Sequence, residues 1–368
     1  MTTDTPTPSP TLNDEATPKL STLDRLLPVW IGSAMVGGIL LGRLIPDLND
    51  TLDKVKVDTV SLPIAIGLLA MMYPVLAKVR YRGISAELGD RRTMGLSLVL
   101  NWVVGPALMF TLAWVFLGDL PELRTGLIIV GLARCIAMVL IWNDLACGNS
   151  ELGAVLVAVN SVFQIVMYTV LGWFYLDLLP GWLGLETQSL DVGMWPIAKS
   201  VLIFLGIPLV AGFLTRTILE ARKGTDWYEH SFLPRIGPIA LYGLLFTIVV
   251  LFSLQGDQIL DRPLDVARVA VPLLIYFTLM WFGSFGAGYR LGLPYDRNTS
   301  VAFTAAGNNF ELGIAVAIAV FGVTSGQALA GTIGPLIEVP VLVGLVYVSL
   351  WAKRRYYPVD RATPAAHP

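Results

Sequence analysis

The chain has 368 residues, of which 55% are hydrophobic and 14% charged, and its mean hydropathy is +0.68. A soluble domain carries about 25% charged residues, so this composition excludes an ordinary soluble protein and indicates a membrane protein. The net charge of −2 gives no indication of a nucleic-acid partner, and none is predicted. Two cysteines, Cys135 and Cys147, provide neither a disulfide framework nor a structural metal site.

Both ends of the chain are polar. The first residues are rich in Thr, Pro and Ser and lack the basic and apolar regions of a signal peptide, so 1–27 is predicted to be a disordered cytoplasmic tail. The C-terminal residues 353–368 have a similar composition and receive the same interpretation.

Ten apolar runs are long enough to form membrane-spanning helices. They lie at 28–46, 58–77, 94–117, 125–142, 152–178, 195–219, 236–254, 266–289, 298–321 and 327–352. Several contain Pro or Gly, which membrane helices tolerate where neighbouring groups satisfy the backbone. The sequence therefore predicts an all-α polytopic membrane protein with ten transmembrane helices.

The connections between these runs carry an asymmetric charge. Seventeen Lys and Arg residues fall on one predicted side of the membrane and six on the other. Because the cytoplasmic side carries the excess of positive charge, both termini are predicted to be cytoplasmic, in a plasma or inner membrane.

The ten spans divide into five and five around a predicted external loop at 179–194. Five is an odd number, so equivalent helices of the halves 28–178 and 195–352 would run in opposite directions. The sequence LPIAIGLL at 62–69 resembles GPIALYGLL at 237–245. This pattern predicts two inverted repeats, an arrangement that places substrate sites near the middle of the membrane.

Arg134 and Cys135 lie in the middle of the fourth apolar run. Arg134 is about eight residues from either end, so it is about 12 Å below the membrane surface, where a charge costs about 2.5 to 3.5 kcal/mol. A free cysteine usually acts as a small buried hydrophobe, but an adjacent cation favours its reactive thiolate. If the helix is regular, Cys135, Val139 and Trp142 share one face, about 100° from Arg134. These residues predict a transporter with a thiol at its centre. Cys147 lies at a loop edge and is interpreted as a small hydrophobic residue.

The ninth apolar run is interrupted, far from both of its ends, by Gly307, Asn308, Asn309 and Glu311. Asn308 and Glu311 share a face if the helix persists, but Gly-Asn-Asn is also typical of an unwound segment. A buried carboxyl is expensive when charged, so Glu311 is a candidate proton carrier. The alternative is a static salt bridge to Arg134.

Two further polar features lie at membrane depth. Glu338 stands between Pro335 and Pro340, which predicts an irregular helix in the tenth span. The fifth span carries a polar stripe that either forms interhelical hydrogen bonds or lines a site. The residues of this stripe are Asn160, Gln164 and Tyr168.

Three segments resemble the arsenical-resistance-3 family of arsenite efflux permeases, which belongs to the bile acid/arsenite/riboflavin transporter superfamily. They are GLARCIAMVLIWNDLACGNSELGAVLVAVNSVFQ, FTAAGNNFELGIAVAIAVFG and GPLIEVPVLVGLVYV. The resemblance covers roughly 28–352. It implies ten helices in two inverted five-helix repeats, with helices 4 and 9 broken and crossing. It also implies export of trivalent arsenic, in some members antimony, in exchange for protons.

The resemblance assigns roles to individual residues. The family's essential cysteine corresponds to Cys135, where it would contact arsenic transiently, and its membrane glutamate corresponds to Glu311. Its arginine, tryptophan, asparagine and second glutamate correspond to Arg134, Trp142, Asn160 and Glu338. Asn160, Asn308 and Asn309 would hydrogen-bond the arsenite hydroxyls, and Arg134 would stabilise the thiolate or a carboxylate. Glu311 would bind either a proton or the substrate, as antiport requires.

Two other functions stay open at this stage. In a sodium- or proton-coupled organic-anion symporter, Arg134 would bind the anion and Cys135 would only pack. An intramembrane enzyme is the third, but His230 and His367 lie outside the spans and no hydrolase motif occurs. No cofactor, phosphate-binding loop or ATPase subunit is predicted. The predicted partners are arsenite, protons and the lipid bilayer.

Overall fold

The computed structural model describes most of the predicted spans. The described residues are 26–45, 56–57, 60–79, 90–136, 138–185 and 194–357. The first 25 residues of the predicted N-terminal tail, residues 358–368 of the C-terminal tail and residues 186–193 of the predicted 179–194 loop lie outside them.

The first half of the described chain forms six helices. They are α1 (Leu27–Leu44), α2 (Leu62–Ala77), α3 (Arg91–Leu117), α4 (Pro121–Leu132), α5 (Val139–Leu145) and α6 (Ser150–Trp182). Two short strands, β1 (Lys56–Val57) and β2 (Val60–Ser61), pair antiparallel directly before α2. Both long helices contain a wider π-helical turn, at Leu100–Val104 in α3 and at Phe174–Leu178 in α6.

The second half also forms six principal helices. They are α7 (Met194–Lys223), α8 (Leu233–Asp261), α9 (Pro263–Arg290), α10 (Tyr295–Ala306), α11 (Phe310–Phe321) and α12 (Gly326–Tyr356). A helical turn at Thr225–Trp227 and a π-helical turn at Tyr228–Phe232 lead into α8. Gly224 separates them from α7 with φ 85°, a left-handed conformation that favours glycine.

Six helical stretches of the described chain are long and apolar enough to cross a membrane. They are α3, α6, α7, Thr225–Gly256, α9 and α12, and three shorter apolar helices are Val29–Leu44, Leu62–Ala77 and Phe310–Phe321. Large apolar side chains also point away from the protein, among them Val115, Val166, Val210 and Phe282. An apolar exterior of this kind suits contact with lipid. The prediction of an all-α polytopic membrane protein is confirmed at this level.

One group of helices consists of α1, α2, α8 and the second half of α7. α8 packs along both α1 and α2, and α2 also packs against Ile207–Lys223 of α7. Glycines bring these helices close together: a Cβ atom added at Gly38 or Gly42 of α1 would overlap the α8 backbone at Val249 or Ser253. Small residues at four-residue spacing are typical of tight helix contacts in membranes.

The remaining helices surround α4, α11 and α12, which pack closely through glycines. A Cβ atom at Gly126 would collide with Gln327, and one at Gly331 would collide with Ile314. The first half of α7 packs on α6 and α11. This helix is therefore in contact with both groups.

The predicted irregularity of the tenth span is wrong. α12 continues as one α-helix through Pro335 and Pro340. Proline fits the φ angle of a helix, and each proline removes only one backbone hydrogen bond, a loss that membrane helices tolerate. Glu338 is therefore held on a regular helix, where its side chain is buried.

Candidate functional site

Two helical spans are interrupted, and the interruptions lie against each other. One break separates α4 from α5 at 133–138, and the other separates α10 from α11 at 307–309. Arg134 and Asn308 pair across them as an isolated antiparallel β-bridge. Two non-helical segments therefore meet in the spans that the resemblance implies to be broken and crossing.

Backbone hydrogen bonds hold this crossing together. The Cys135 N–H donates to the Gly307 carbonyl oxygen over 3.3 Å, and the Asn309 N–H donates to the Ala133 carbonyl oxygen over 3.0 Å. Backbone groups freed by a helix break need such partners inside a membrane. Each interrupted span therefore supplies hydrogen-bond partners for backbone groups of the other.

The α10–α11 break follows from its own sequence. Gly307 has φ −73° and ψ 147°, and glycine is a poor helix former. The Asn309 side chain accepts a hydrogen bond from the Leu312 N–H over 3.1 Å, which caps the start of α11. Glycine and asparagine together end one helix and begin the next.

Side chains from other elements cap the end of α4. The last carbonyl groups of a helix have no partner within it. Here the Tyr168 hydroxyl donates to the Ile129 carbonyl over 2.9 Å. The Asn308 side-chain amide donates to the Val130 carbonyl over 2.9 Å, and the Arg134 guanidinium donates to the Gly131 carbonyl.

The Arg134 side chain is fully buried and lies away from the thiol. Its Nη1 donates to the Tyr276 hydroxyl over 2.8 Å, and its backbone N–H donates to the Gln164 side-chain oxygen. Among the described residues it makes no ion pair within 4 Å, so the alternative of a static salt bridge between Arg134 and Glu311 is not seen. The structure places the guanidinium against α9 and the end of α4 instead.

The predicted helical face of Cys135, Val139 and Trp142 is wrong, because the backbone at 133–136 is not helical: Ala133 is extended and Arg134 forms the β-bridge. The Arg134 guanidinium contacts Tyr276, whereas the Cys135 side chain lies against Gly307. Cys135 remains 3% exposed.

Gly307 lies directly against Cys135. A Cβ atom at position 307 would stand 3.0 Å from the Cys135 Cβ and 3.4 Å from its Sγ. A larger residue there would push on the thiol side chain. Cys147, by contrast, is partly buried after α5.

Two carboxyl groups lie near the crossing. The Glu338 Oε1 accepts a hydrogen bond from the Asn308 N–H over 3.3 Å. Glu311 stands in the first turn of α11 and is partly buried.

The other predicted residues are buried at different distances from the crossing. The Asn160 side-chain amide donates to the Asn101 side chain of α3 over 3.4 Å. Trp142 lies buried on α5. Several side-chain atoms have no hydrogen-bond partner among the described residues: the Trp142 indole N–H, the Asn308 Oδ1 and the Asn309 Nδ2. Unpaired buried polar groups are rare and mark places where a polar ligand can bind.

The structure thus brings five of the eight predicted site residues to the crossing itself, with Glu311 at its edge. The five are Arg134, Cys135, Asn308, Asn309 and Glu338. The Asn160 side chain instead contacts Asn101, and the Trp142 indole N–H has no partner among the described residues. Sequence reasoning missed Tyr276, Asn101 and the contact that Gln164 makes. The only sign of these residues in the sequence was that each is a polar residue inside an apolar run.

The fold and the crossing together define a class of protein. Interrupted helices that meet inside a bundle of membrane-length helices are typical of secondary transporters. The irregular backbone at membrane depth is buried within protein, as it must be.

Comparison with known proteins narrows the class. Residues 65–262 match the family described as the Sodium Bile acid symporter family. The chain is 59% identical to the arsenical-resistance protein Acr3 of Corynebacterium glutamicum over 348 residues, 95% of this chain and 94% of that one. It is 32% identical to Acr3 of Alkaliphilus metalliredigens, over 89% and 92% of the two chains. The chain is also 37% identical to an uncharacterized transporter of Synechocystis sp., over 89% of this chain and 88% of that one.

The chain therefore belongs to the Acr3 arsenical-resistance family, within the wider sodium bile acid symporter family. The predicted family is confirmed. The prediction of a transporter rather than an enzyme is confirmed with it.

Proposed function

We propose that this protein exports trivalent arsenic, as arsenite or arsenous acid, from the cytoplasm in exchange for protons and thereby confers arsenic resistance. One observation carries the proposal. A single thiol, Cys135, lies at the crossing of two interrupted helices in a chain that is 59% identical to an arsenical-resistance protein.

The proposed topology has ten spans in two inverted five-helix repeats. The helices α4 and α5 together form the fourth span, and α10 and α11 form the ninth. The two interruptions thus fall at equivalent positions of the two halves, and they pair antiparallel. The excess of Lys and Arg on one side supports cytoplasmic termini in a plasma or inner membrane.

The proposed substrate contact is a bond between the Cys135 sulfur and arsenic: the thiol displaces one arsenic hydroxyl, which leaves with the thiol proton as water, and hydrolysis of the bond releases arsenous acid again. Arsenous acid is mostly an uncharged trihydroxide at neutral pH, and its arsenic is thiophilic. One thiol gives selectivity and still permits release, whereas three thiols would hold the cargo tightly. The unpaired amide atoms of Asn308 and Asn309 supply an acceptor and a donor for its hydroxyls, and Trp142 and Asn160 are further proposed substrate contacts. Antimonite has the same soft chemistry and is a second proposed substrate.

Glu311 is the proposed proton carrier. Glu338 already accepts a hydrogen bond from the Asn308 N–H, so its role is to hold the crossing beside the substrate. Glu311 stands in the first turn of α11, where it is free to exchange a proton for the substrate.

The energetics allow this coupling. Exchange of one inward proton for a neutral solute moves one net charge across the membrane. Each 100 mV supplies about 2.3 kcal/mol, and about 1.4 kcal/mol corresponds to a tenfold concentration ratio. The membrane potential alone therefore supports a gradient of roughly 50-fold.

The test is arsenite uptake by everted membrane vesicles, in which cellular efflux appears as accumulation. An acidic lumen is expected to drive uptake above the external concentration, and a protonophore is expected to abolish it. Uptake that is unaffected by the proton gradient would contradict antiport. A vesicle that takes up no arsenite would contradict the function itself.

A second candidate is a sodium- or proton-coupled organic-anion symporter, which the match of 65–262 to the sodium bile acid symporter family favours. In that mechanism Arg134 would bind the anionic group. Both terminal nitrogens of the guanidinium already donate to Tyr276 and Gly131, and only its Nε has no partner among the described residues, which argues against it. Sodium-dependent uptake of a bile acid by right-side-out vesicles, without arsenite flux, would establish this alternative.

A further inference from the structure

We propose that Tyr276 and Gly105 form a socket for the Arg134 guanidinium, and that this socket fixes the segment carrying Cys135. In this role Arg134, Tyr276 and Gly105 are positioning residues, and none of them is a substrate ligand. The proposal rests on the proposed function only for its transport readout.

The socket lies between α3 and α9. The Arg134 Nη1 donates to the Tyr276 hydroxyl over 2.8 Å. A Cβ atom at Gly105 would stand 2.5 Å from that same Nη1 and 3.1 Å from the Tyr276 oxygen. Gly105 directly follows the π-helical turn Leu100–Val104. The absence of a side chain at 105 therefore provides the space that the guanidinium fills.

The socket also stabilises the buried positive charge of Arg134. Arg134 is fully buried and makes no ion pair within 4 Å among the described residues. Its Nη2 instead donates to the Gly131 carbonyl at the end of α4. The C-terminus of a helix carries a partial negative charge that stabilises a nearby cation. The guanidinium and the helix end thus compensate each other without a carboxylate.

The effect on Cys135 passes through the backbone. Arg134 and Cys135 are adjacent in the chain, but their side chains contact different elements: the guanidinium lies against Tyr276 and Gly105, and the Cys135 side chain lies against Gly307. The Arg134 N–H donates to Gln164, and the Cys135 N–H donates to Gly307. A guanidinium anchored in the socket holds this segment in one register. Release of the anchor lets the thiol shift relative to Gly307.

The decisive variant is Tyr276→Phe, which removes one oxygen atom and keeps the ring. All variants carry Cys147→Ser, so that Cys135 is the single thiol. Two properties are measured in proteoliposomes: the rate at which a membrane-permeant maleimide alkylates Cys135, and the KM for arsenite. The alkylation rate does not depend on which solute the protein carries.

Tyr276→Phe is expected to raise the KM and the alkylation rate by about tenfold, the size expected for a lost hydrogen bond to a buried charge. Gly105→Ala, which fills the socket, should act in the same direction. Arg134→Lys keeps the charge but cannot donate to Tyr276 and Gly131 together, so it should behave like Arg134→Met. In the Arg134→Met background, Tyr276→Phe should have no further effect.

Tyr289→Phe is the matched control, because Tyr289 lies on the same helix and is 48% exposed. It should match the parent protein in both measurements. An unchanged alkylation rate in Tyr276→Phe would overturn the proposal, and so would a Tyr276→Phe effect of equal size with and without Arg134. Wild-type activity of Arg134→Lys would also overturn the proposal, because it would show that a positive charge at position 134 is sufficient without the two hydrogen bonds of the guanidinium. If the parent protein carries no arsenite but the alkylation pattern holds, only the proposed function fails.

Discussion

At the scale of single residues, the proposed chemistry depends on the sulfur of Cys135. It is the only cysteine at the crossing, and it is almost inaccessible to solvent. The side-chain hydroxyl of serine has nearly the same shape, but it does not bind arsenic as a thiol does. The two cysteines of this chain therefore form a matched pair for mutation.

Cys135→Ser is expected to abolish arsenite resistance and transport while the amount of protein in the membrane stays unchanged. Cys147→Ser is expected to be nearly silent, because Cys147 lies after α5, away from the crossing. The measurement is arsenite efflux from cells that express each variant at equal levels. Normal efflux by Cys135→Ser would remove the thiol from the mechanism.

Glu311→Gln mimics permanent protonation, the state that disfavours substrate in an antiporter. Uphill transport should vanish, and the dependence of arsenite binding on pH should flatten. Glu338→Gln keeps an oxygen that can accept the Asn308 N–H but loses the negative charge that strengthens this bond, so it should weaken binding while the pH dependence persists. Arsenite binding against pH distinguishes the two. Wild-type proton-driven accumulation by Glu311→Gln would transfer the coupling role to Glu338.

Residue types at membrane depth could be recognised from the sequence, whereas their partners could not. Cys135 and Glu311 stand out because a thiol beside a charge and a carboxyl are rare in apolar runs. Nothing in the sequence indicates that Tyr276 and Gly105 meet Arg134, since they are distant in the chain. The structure also reverses one expectation, because the break places the Arg134 guanidinium against Tyr276 and the Cys135 side chain against Gly307.

At the scale of helices, the two interruptions have different causes. Gly307, Asn308 and Asn309 carry a local signal, and the Asn309 cap confirms how it acts. The segment after Leu132 contains neither glycine nor proline, so local sequence predicts a helix there. That break is stabilised by donors from α6 and from the break between α10 and α11, which only the assembled fold supplies.

Gly307→Ala tests how closely the two breaks must fit. Its φ of −73° is allowed for alanine, so the backbone itself is not strained. The added methyl group would stand 3.0 Å from the Cys135 Cβ, so the KM for arsenite should rise several-fold. Gly286→Ala on α9 is the control, because nothing lies within 4 Å of its Cβ position. Equal KM values for both variants would contradict close packing at the crossing.

At the scale of the whole molecule, two groups of helices are joined through α7. α1, α2 and α8 pack together, while the helices that form the crossing pack around α4, α11 and α12. The helical class and the family could be predicted from composition and motifs. The grouping of helices could not be predicted, because it depends on close contacts at glycines, such as the contact between Gly38 of α1 and Val249 of α8.

The predicted topology is tested by single cysteines on opposite sides of α7, introduced in the Cys147→Ser protein. Leu183 and Thr225 are both exposed, which makes them comparable sites. A membrane-impermeant maleimide added to intact cells should label Leu183→Cys and leave Thr225→Cys unlabelled. The reverse pattern would overturn the orientation derived from the Lys and Arg distribution.

The most direct test of the central claim is the lumenal pH of proteoliposomes when arsenite is added outside. A trapped pH indicator reports proton movement, and potassium with valinomycin holds the membrane potential at zero. Arsenite entry should raise the lumenal pH in the wild-type protein, because each substrate exchanges for a proton. Cys135→Ser and Glu311→Gln should give no change. Arsenite entry without a pH change, or an equal pH rise in the Cys135→Ser protein, would contradict thiol-dependent proton antiport.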